Sequence, residues 1–126
     1  MLVKDLYKEA LITPTESDCN KLFIVSGYAS ATFARRHILE LENNNKKVEI
    51  NLIIGMPDKK SDHLAFVSLH NEFNGLFKGY YLQKSPPVHS KVYSWYKEKD
   101  AILGYAGSAN YSQYGFFEKQ QMNQLS

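Results

Sequence analysis

Two polar residues in the stretch "HSKVYSWY" have the types and the spacing needed for chemistry on a phosphate ester: His89 and Lys91. Side chains two positions apart in an extended strand project from the same face. An imidazole can act as a nucleophile or exchange a proton, and a lysine ammonium offsets the charge of nonbridging phosphate oxygens. The pair is therefore suited to attack on a phosphodiester.

A second polar motif follows in the stretch "GSAN", residues 107–110. Gly107 permits a tight turn, Ser108 supplies a hydroxyl, and Asn110 supplies an amide donor. Together with His89 and Lys91, these groups can stabilise a pentacoordinate phosphorus without a metal. Each motif alone is common, because a His-x-Lys pair often lies on a solvated strand and Asn110 can simply cap a turn. Their order, with two strand-like runs between them, favours the functional interpretation.

The surrounding segments alternate between strand and helix patterns. The apolar run Leu22–Val25 predicts a strand that is buried on both faces. A helix over "SATFARRHILELEN", a strand in "VEINLIIGM", a second helix and a strand in "LFKGYYLQ" follow, and "HSKVYSWY" with "AILGYA" predicts a hairpin. Right-handed crossovers between these elements predict an α/β fold, with a mixed, mostly parallel sheet flanked by helices in a single domain over residues 1–126.

Composition narrows the class of protein further. The chain has 126 residues, is 44% hydrophobic and carries a net charge of +2, which is typical of one ordered domain and permits a nucleic-acid partner. A single cysteine excludes an internal disulfide and a cysteine-rich zinc site. His63 and His70 can share a helix face but lack a third ligand, so we predict no metal and no cofactor.

No signal-peptide core and no membrane-length apolar run is present, so we expect a cytoplasmic protein without a membrane partner.

The two motifs resemble the His-Lys-Asp signature of the phospholipase D superfamily. His89 and Lys91 match its first part, and Asp100 is followed after six residues (101 to 106) by Gly107, Ser108 and Asn110, as in the superfamily. The interval between the lysine and Asp100 is longer than usual. The closer resemblance is to phospholipase D-like restriction endonucleases of the NgoFVII type, which also carry segments like "SGYAS" and "GSANYSQYGF". It runs from about residue 20 to residue 117.

This resemblance implies a metal-independent endonuclease that hydrolyses DNA through a phosphohistidine intermediate, as the catalytic domain of a type II restriction endonuclease. The implied catalytic residues are His89, Lys91, Asn110 and Ser108. The supporting residues are Asp100, Gly107, Glu118, Gln121 and Tyr28. Gln121 stands where the family has an acid that orients the catalytic histidine, and Glu118 is the nearest acid to it. Since the family mechanism uses two histidines and this chain has one such motif, we expect a homodimer with its two-fold axis at the active site.

Three further expectations concern the surface and the domain limits. Arg35, Arg36, Lys59 and Lys60 are candidates for contacts with DNA phosphates, although basic residues of this kind commonly form a solvated surface. Residues 1–20 are interpreted as an N-terminal extension. The family domain continues beyond the position that corresponds to Ser126, so we expect C-terminal elements of the domain to be missing from this sequence.

Two alternative functions stay open from the sequence. The chain can be an inactive or truncated module that binds DNA or dimerises, an interpretation favoured by the absence of the orienting acid at Gln121. It can also be a phosphatidyl-transferring enzyme of the phospholipase D type. The single motif and the lack of a long apolar surface run make the lipid enzyme the weaker alternative.

Overall fold

The structure is a computed structural model that describes residues 5–56, 60–82, 90–117 and 122–125. Eleven elements follow one another in these described residues. They are α1 (Leu6–Leu11), a 3₁₀ helix (Thr13–Ser17), β1 (Lys21–Ser26), α2 (Ala31–Asn43), β2 (Glu49–Ile54), α3 (Lys60–Glu72), β3 (Phe77–Tyr81), β4 (Val92–Lys97), β5 (Asp100–Gly107), α4 (Gln113–Phe117) and β6 (Met122–Leu125).

The strands form one mixed sheet in the order β3-β2-β1-β4-β5-β6. β1 pairs with β2 and β2 with β3 in parallel, whereas β1 with β4, β4 with β5 and β5 with β6 are antiparallel. The predicted α/β domain with a mixed sheet and flanking helices is therefore confirmed. The expectation that the sheet is mostly parallel was wrong, because only the first three strands are joined by helical crossovers. The later strands return beside one another as antiparallel neighbours.

The helices pack against the same face of the sheet in the part of the chain that the structure describes. Two successive right-handed crossovers that step in one direction place α2 and α3 on one side. On that side of β1, Leu22 and Ile24 are fully buried, while Phe23 on the other side is 39% exposed. The prediction that β1 is buried on both faces was therefore wrong. A continuous apolar run does not distinguish a strand with two covered faces from one with a half-open face.

The N-terminal segment belongs to this core. Leu6, Ala10 and Leu11 are fully buried in α1. The buried indole of Trp95, in the central strand β4, donates its Nε1 hydrogen to the carbonyl oxygen of Ala10 at 2.7 Å. Residues of the segment that we interpreted as an N-terminal extension thus pack into the core.

The predicted amphipathic pattern of α2 is present. Ser30 caps this helix, since its hydroxyl accepts a hydrogen bond from the backbone N–H of Phe33 at 3.2 Å. Ala34, Ile38 and Leu41 face the core as their spacing predicts. None of the helices in the described residues combines the length and the apolar character required to cross a membrane.

Candidate active site

Lys91 of the first motif and the beginning of the second motif meet at one end of the sheet. Val92 pairs with Ala106 across the β4–β5 hairpin, and the N–H of Gly107 donates to the carbonyl oxygen of Lys91 at 3.2 Å. On its other side Val92 pairs with Val25 of β1. The start of β4, the end of β5 and the carboxyl end of β1 therefore lie side by side. Ligands of α/β sheets commonly bind at this edge.

The Asn110 side chain is held in one orientation at this edge. The backbone N–H of Tyr28, just after β1, donates to Asn110 Oδ1 at 3.1 Å. An N–H group requires an acceptor, so the oxygen of the amide must be the atom that faces Tyr28. Among the contacts of the described residues, the Asn110 Nδ2 group makes none. The Nδ2 group is therefore the donor end of the amide, and an amide donor of this kind can bind an anion.

Ser26, the last residue of β1, joins the Asn110 loop to the sheet. Its buried hydroxyl oxygen accepts from the N–H of Tyr111 at 3.0 Å. The same oxygen lies 2.5 Å from the carbonyl oxygen of Tyr28 and 3.2 Å from Asn110 Oδ1. A hydroxyl has one proton to donate, and the shorter distance assigns that proton to Tyr28. Ser26 thus fixes both segments that hold the Asn110 amide.

A buried histidine stabilises the Asn110 loop through hydrogen bonds. His37 of α2 is fully buried, and its Nε2 lies 2.8 Å from the carbonyl oxygen of Leu11, to which it must donate. Its Nδ1 is therefore the acceptor for the Tyr111 hydroxyl at 2.6 Å. Burial lowers the pKa of His37 to about 4, which keeps the ring neutral and Nδ1 available. The residue next to Asn110 is thus anchored to two helices.

Gly115 of α4 packs directly against the backbone of Asn110. A Cβ atom built on Gly115 falls 2.7 Å from the Asn110 nitrogen and still closer to its carbonyl oxygen. Neither atom belongs to a flexible side chain that can move aside. Only glycine therefore allows α4 to approach the loop this closely.

The neutral His37 makes stability depend on pH. The pKa of the ring is about 4 in the folded chain and 6.5 in its unperturbed state, so the unfolded chain binds more protons between these values. We expect stability to be unaffected above pH 6.5 and to fall by roughly 3 kcal/mol as pH drops from 6.5 to 4. Urea unfolding at several pH values measures this loss. The His37→Gln variant, which keeps an acceptor for Tyr111, should lose that part of the pH dependence, and an identical pH dependence in both proteins contradicts the assignment.

Other predicted site residues are placed as follows. Ser108 is exposed and Lys91 half-buried, both at the sheet edge that carries Asn110. Asp100 begins β5 and Gly107 ends it, so seven residues of extended chain, roughly 23 Å, separate Asp100 from the loop. The structure therefore does not bring Asp100 to the site. His89, Glu118, Gln121 and Lys59 lie outside the described residues, and their predicted roles stay predictions.

The arginines predicted to contact DNA have partners within the chain. Arg35 makes a bidentate ion pair with Glu72, in which its Nε donates to Oε1 at 2.9 Å and its Nη2 to Oε2 at 2.8 Å. The Arg36 guanidinium lies 5.4 Å from the Tyr7 ring centroid and 4.9 Å from that of Phe117. Both arginines join helices to one another, and contacts with DNA stay a prediction for them. Lys60 begins α3.

Sequence alone did not identify Ser26, His37 or Gly115 as site residues. Gly115 is part of the stretch "GSANYSQYGF", which carried the family resemblance. A serine at the end of an otherwise apolar strand is a weak signal for Ser26. His37 stands among apolar helix residues, where a satisfied core histidine is the ordinary interpretation.

Comparisons with known proteins give the family and the fold of the chain. Residues 4–125 match the model of the NgoFVII restriction endonuclease N-terminal PLD domain. Among solved structures, NucT from Helicobacter pylori superposes with a TM-score of 0.59 at 13% sequence identity, over 98% of this chain and 80% of the NucT chain. No curated protein matches the chain. At that identity NucT shows the fold alone. The family model, however, spans nearly the whole chain, and the chain therefore belongs to the family of the NgoFVII restriction endonuclease N-terminal PLD domain, a nuclease family.

Proposed function

We propose that the chain is a metal-independent endonuclease, the catalytic domain of a type II restriction enzyme, that hydrolyses DNA through a phosphohistidine intermediate. The orientation of Asn110 is the observation that carries this assignment. Its Oδ1 is bound by the N–H of Tyr28, which leaves Nδ2 as the donor end of the amide. The N–H of Gly107, at the start of the same loop, binds the carbonyl oxygen of Lys91. A fixed amide and an ammonium at one edge are suited to nonbridging phosphate oxygens. With DNA as substrate, we place the activity in the cytoplasm.

The reaction follows from the two histidines of a dimer. Nε2 of one His89 attacks phosphorus, a P–N bond forms, and the P–O bond to the leaving oxygen breaks. The second His89 gives its proton to that oxygen. The second ring, now neutral, then takes a proton from water, whose oxygen attacks phosphorus and breaks the P–N bond. Lys91 and Asn110 hold the nonbridging oxygens in both steps, and Ser108 supports them by a hydrogen bond.

We expect a two-fold homodimer, because one chain supplies one His-x-Lys motif and the reaction needs two imidazoles. Multi-angle light scattering at the protein concentrations used for cleavage should give twice the mass of the chain. An active protein that remains a monomer there contradicts the paired-histidine arrangement.

Cleavage of supercoiled plasmid in excess EDTA tests the proposed activity. We expect nicked and linear products to form at the same rate with and without the chelator, because Lys91 and the Asn110 amide supply the electrostatic stabilisation that a metal gives other nucleases. Activity that disappears on chelation and returns with magnesium contradicts the histidine mechanism. DNA binding without cleavage under every condition tried favours the inactive-module alternative. Phosphatidyl transfer on liposomes without DNA cleavage favours the lipid enzyme.

A further inference from the structure

The Tyr28 side chain stands out among the residues of the candidate site because nothing in the described part of the chain uses it. The residue is 48% exposed. In the described residues, the ring contacts no other aromatic ring or cation, and its hydroxyl makes no hydrogen bond. An isolated exposed tyrosine is ordinary on a protein surface. The position of Tyr28 is unusual, because its backbone forms part of the candidate site.

Both peptide groups of Tyr28 are tied to the Asn110 loop. Its N–H donates to Asn110 Oδ1 at 3.1 Å, and its carbonyl oxygen accepts from the Ser26 hydroxyl at 2.5 Å. The next residue, Ala29, forms a parallel bridge with Tyr111. The backbone of Tyr28 is therefore in direct contact with the proposed phosphate-binding amide, and its side chain starts from a fixed point beside that amide.

Several physical features fit this ring to a nucleobase. A phosphodiester bound at Asn110 carries a nucleoside on each side, within reach of one tyrosine side chain. An aromatic ring that is fixed at its backbone and open to solvent can stack on a base of any sequence. Two rotatable bonds give tyrosine a low entropy cost for such a contact. The rings of Tyr93 in β4 and of Tyr111 beside Asn110 are fully buried and cannot take this role.

We infer that Tyr28 is the stacking residue for a base that adjoins the phosphate bound at Asn110, so that it anchors the DNA strand and does not read its sequence. This assignment rests on the proposed function for the identity of the ligand as DNA. It adds a nucleobase contact to a site otherwise built only for the phosphate.

Fluorescence anisotropy with a labelled oligonucleotide tests the stacking contact in the His89→Ala background, where binding is measured without turnover. We expect Tyr28→Ala to weaken binding about tenfold and Tyr28→Phe to leave binding unchanged, since the ring and not the hydroxyl makes the contact. A series of oligonucleotides with one abasic position each should include one that binds equally to the parent and to Tyr28→Ala. The matched control is Tyr80→Ala, because Tyr80 is 53% exposed in the edge strand β3.

The assignment is overturned if Tyr28→Ala binds as tightly as the parent, or if its loss is the same at every abasic position. The assignment is also overturned if Tyr80→Ala loses as much DNA affinity as Tyr28→Ala. It is likewise overturned if the parent does not bind DNA at all. Cleavage by the protein with His89 intact separates this result from the proposed function. Normal cleavage together with an unaffected Tyr28→Ala removes the stacking contact alone, whereas the abasic pattern without any cleavage removes the catalytic function alone.

Discussion

Replacing His89 with alanine is expected to lower the rate of DNA cleavage by at least about 10⁴-fold, as the loss of a nucleophile does in other enzymes. The substitution removes both the attacking nitrogen and, in the partner copy, the general acid. It leaves Lys91 and Asn110 in place, so DNA binding should stay within a few-fold of the parent. Single-turnover cleavage and anisotropy binding on the same duplex measure the two quantities separately.

His63→Ala is the matched control for this substitution. His63 is exposed on α3 and contacts the ring of Tyr81, with no hydrogen bond to the Asn110 loop among the described contacts. Its removal should leave cleavage unchanged. If His89→Ala cuts DNA at the parent rate, His89 is not the nucleophile, and the family resemblance then describes only the fold.

Gly115→Ala should be the most damaging small substitution outside the motif. The added methyl group collides with the backbone nitrogen and carbonyl oxygen of Asn110, so the loop or α4 must shift. A displacement of about 1 Å at a positioning group costs on the order of 10²-fold in rate. We expect such a fall in the single-turnover rate, with the chain still folded by circular dichroism.

Gly79→Ala provides the control for this effect. A Cβ built on Gly79, in β3, meets only the Phe77 ring at 3.5 Å, which is an ordinary contact. The same change of chemistry should therefore be neutral there for both rate and stability. A Gly115→Ala protein with normal activity contradicts the tight packing of α4 against the loop.

Local patterns in the sequence were sufficient for the elements that position the site. Helical spacing of Ala34, Ile38 and Leu41 indicated α2, and alternation in residues 48–54 indicated β2, because both periods follow from burial on one face. The balance of parallel and antiparallel pairs was not predicted correctly. Strand pairing depends on contacts distant in the sequence, and no local signal states that β4 inserts beside β1.

The sequence named motif residues for the candidate site but not the residues that support the Asn110 loop. Lys91 and Asn110 could be named because their spacing matches a known signature, and the structure places the start of β4 beside the Asn110 loop. Ser26 and His37 act through residues 84 and 74 positions away in the sequence, Asn110 and Tyr111 respectively. Such contacts arise only when the loop after β5 crosses β4 to reach the end of β1. Asp100 shows the opposite case. It matches the motif in sequence, but it lies at the end of β5 that is distant from the Asn110 loop.

Detection of a covalent protein–DNA adduct on His89 tests the central claim most directly. The chain is mixed with end-labelled duplex in excess EDTA, quenched in denaturant within the first turnover, and digested for mass spectrometry. We predict DNA joined through its phosphate to the His89 peptide, by a P–N bond that is stable in base and lost in acid, and that is absent from His89→Ala. Cleavage that proceeds at the full rate without any adduct at early times means that water attacks phosphorus directly, and it contradicts the phosphohistidine mechanism.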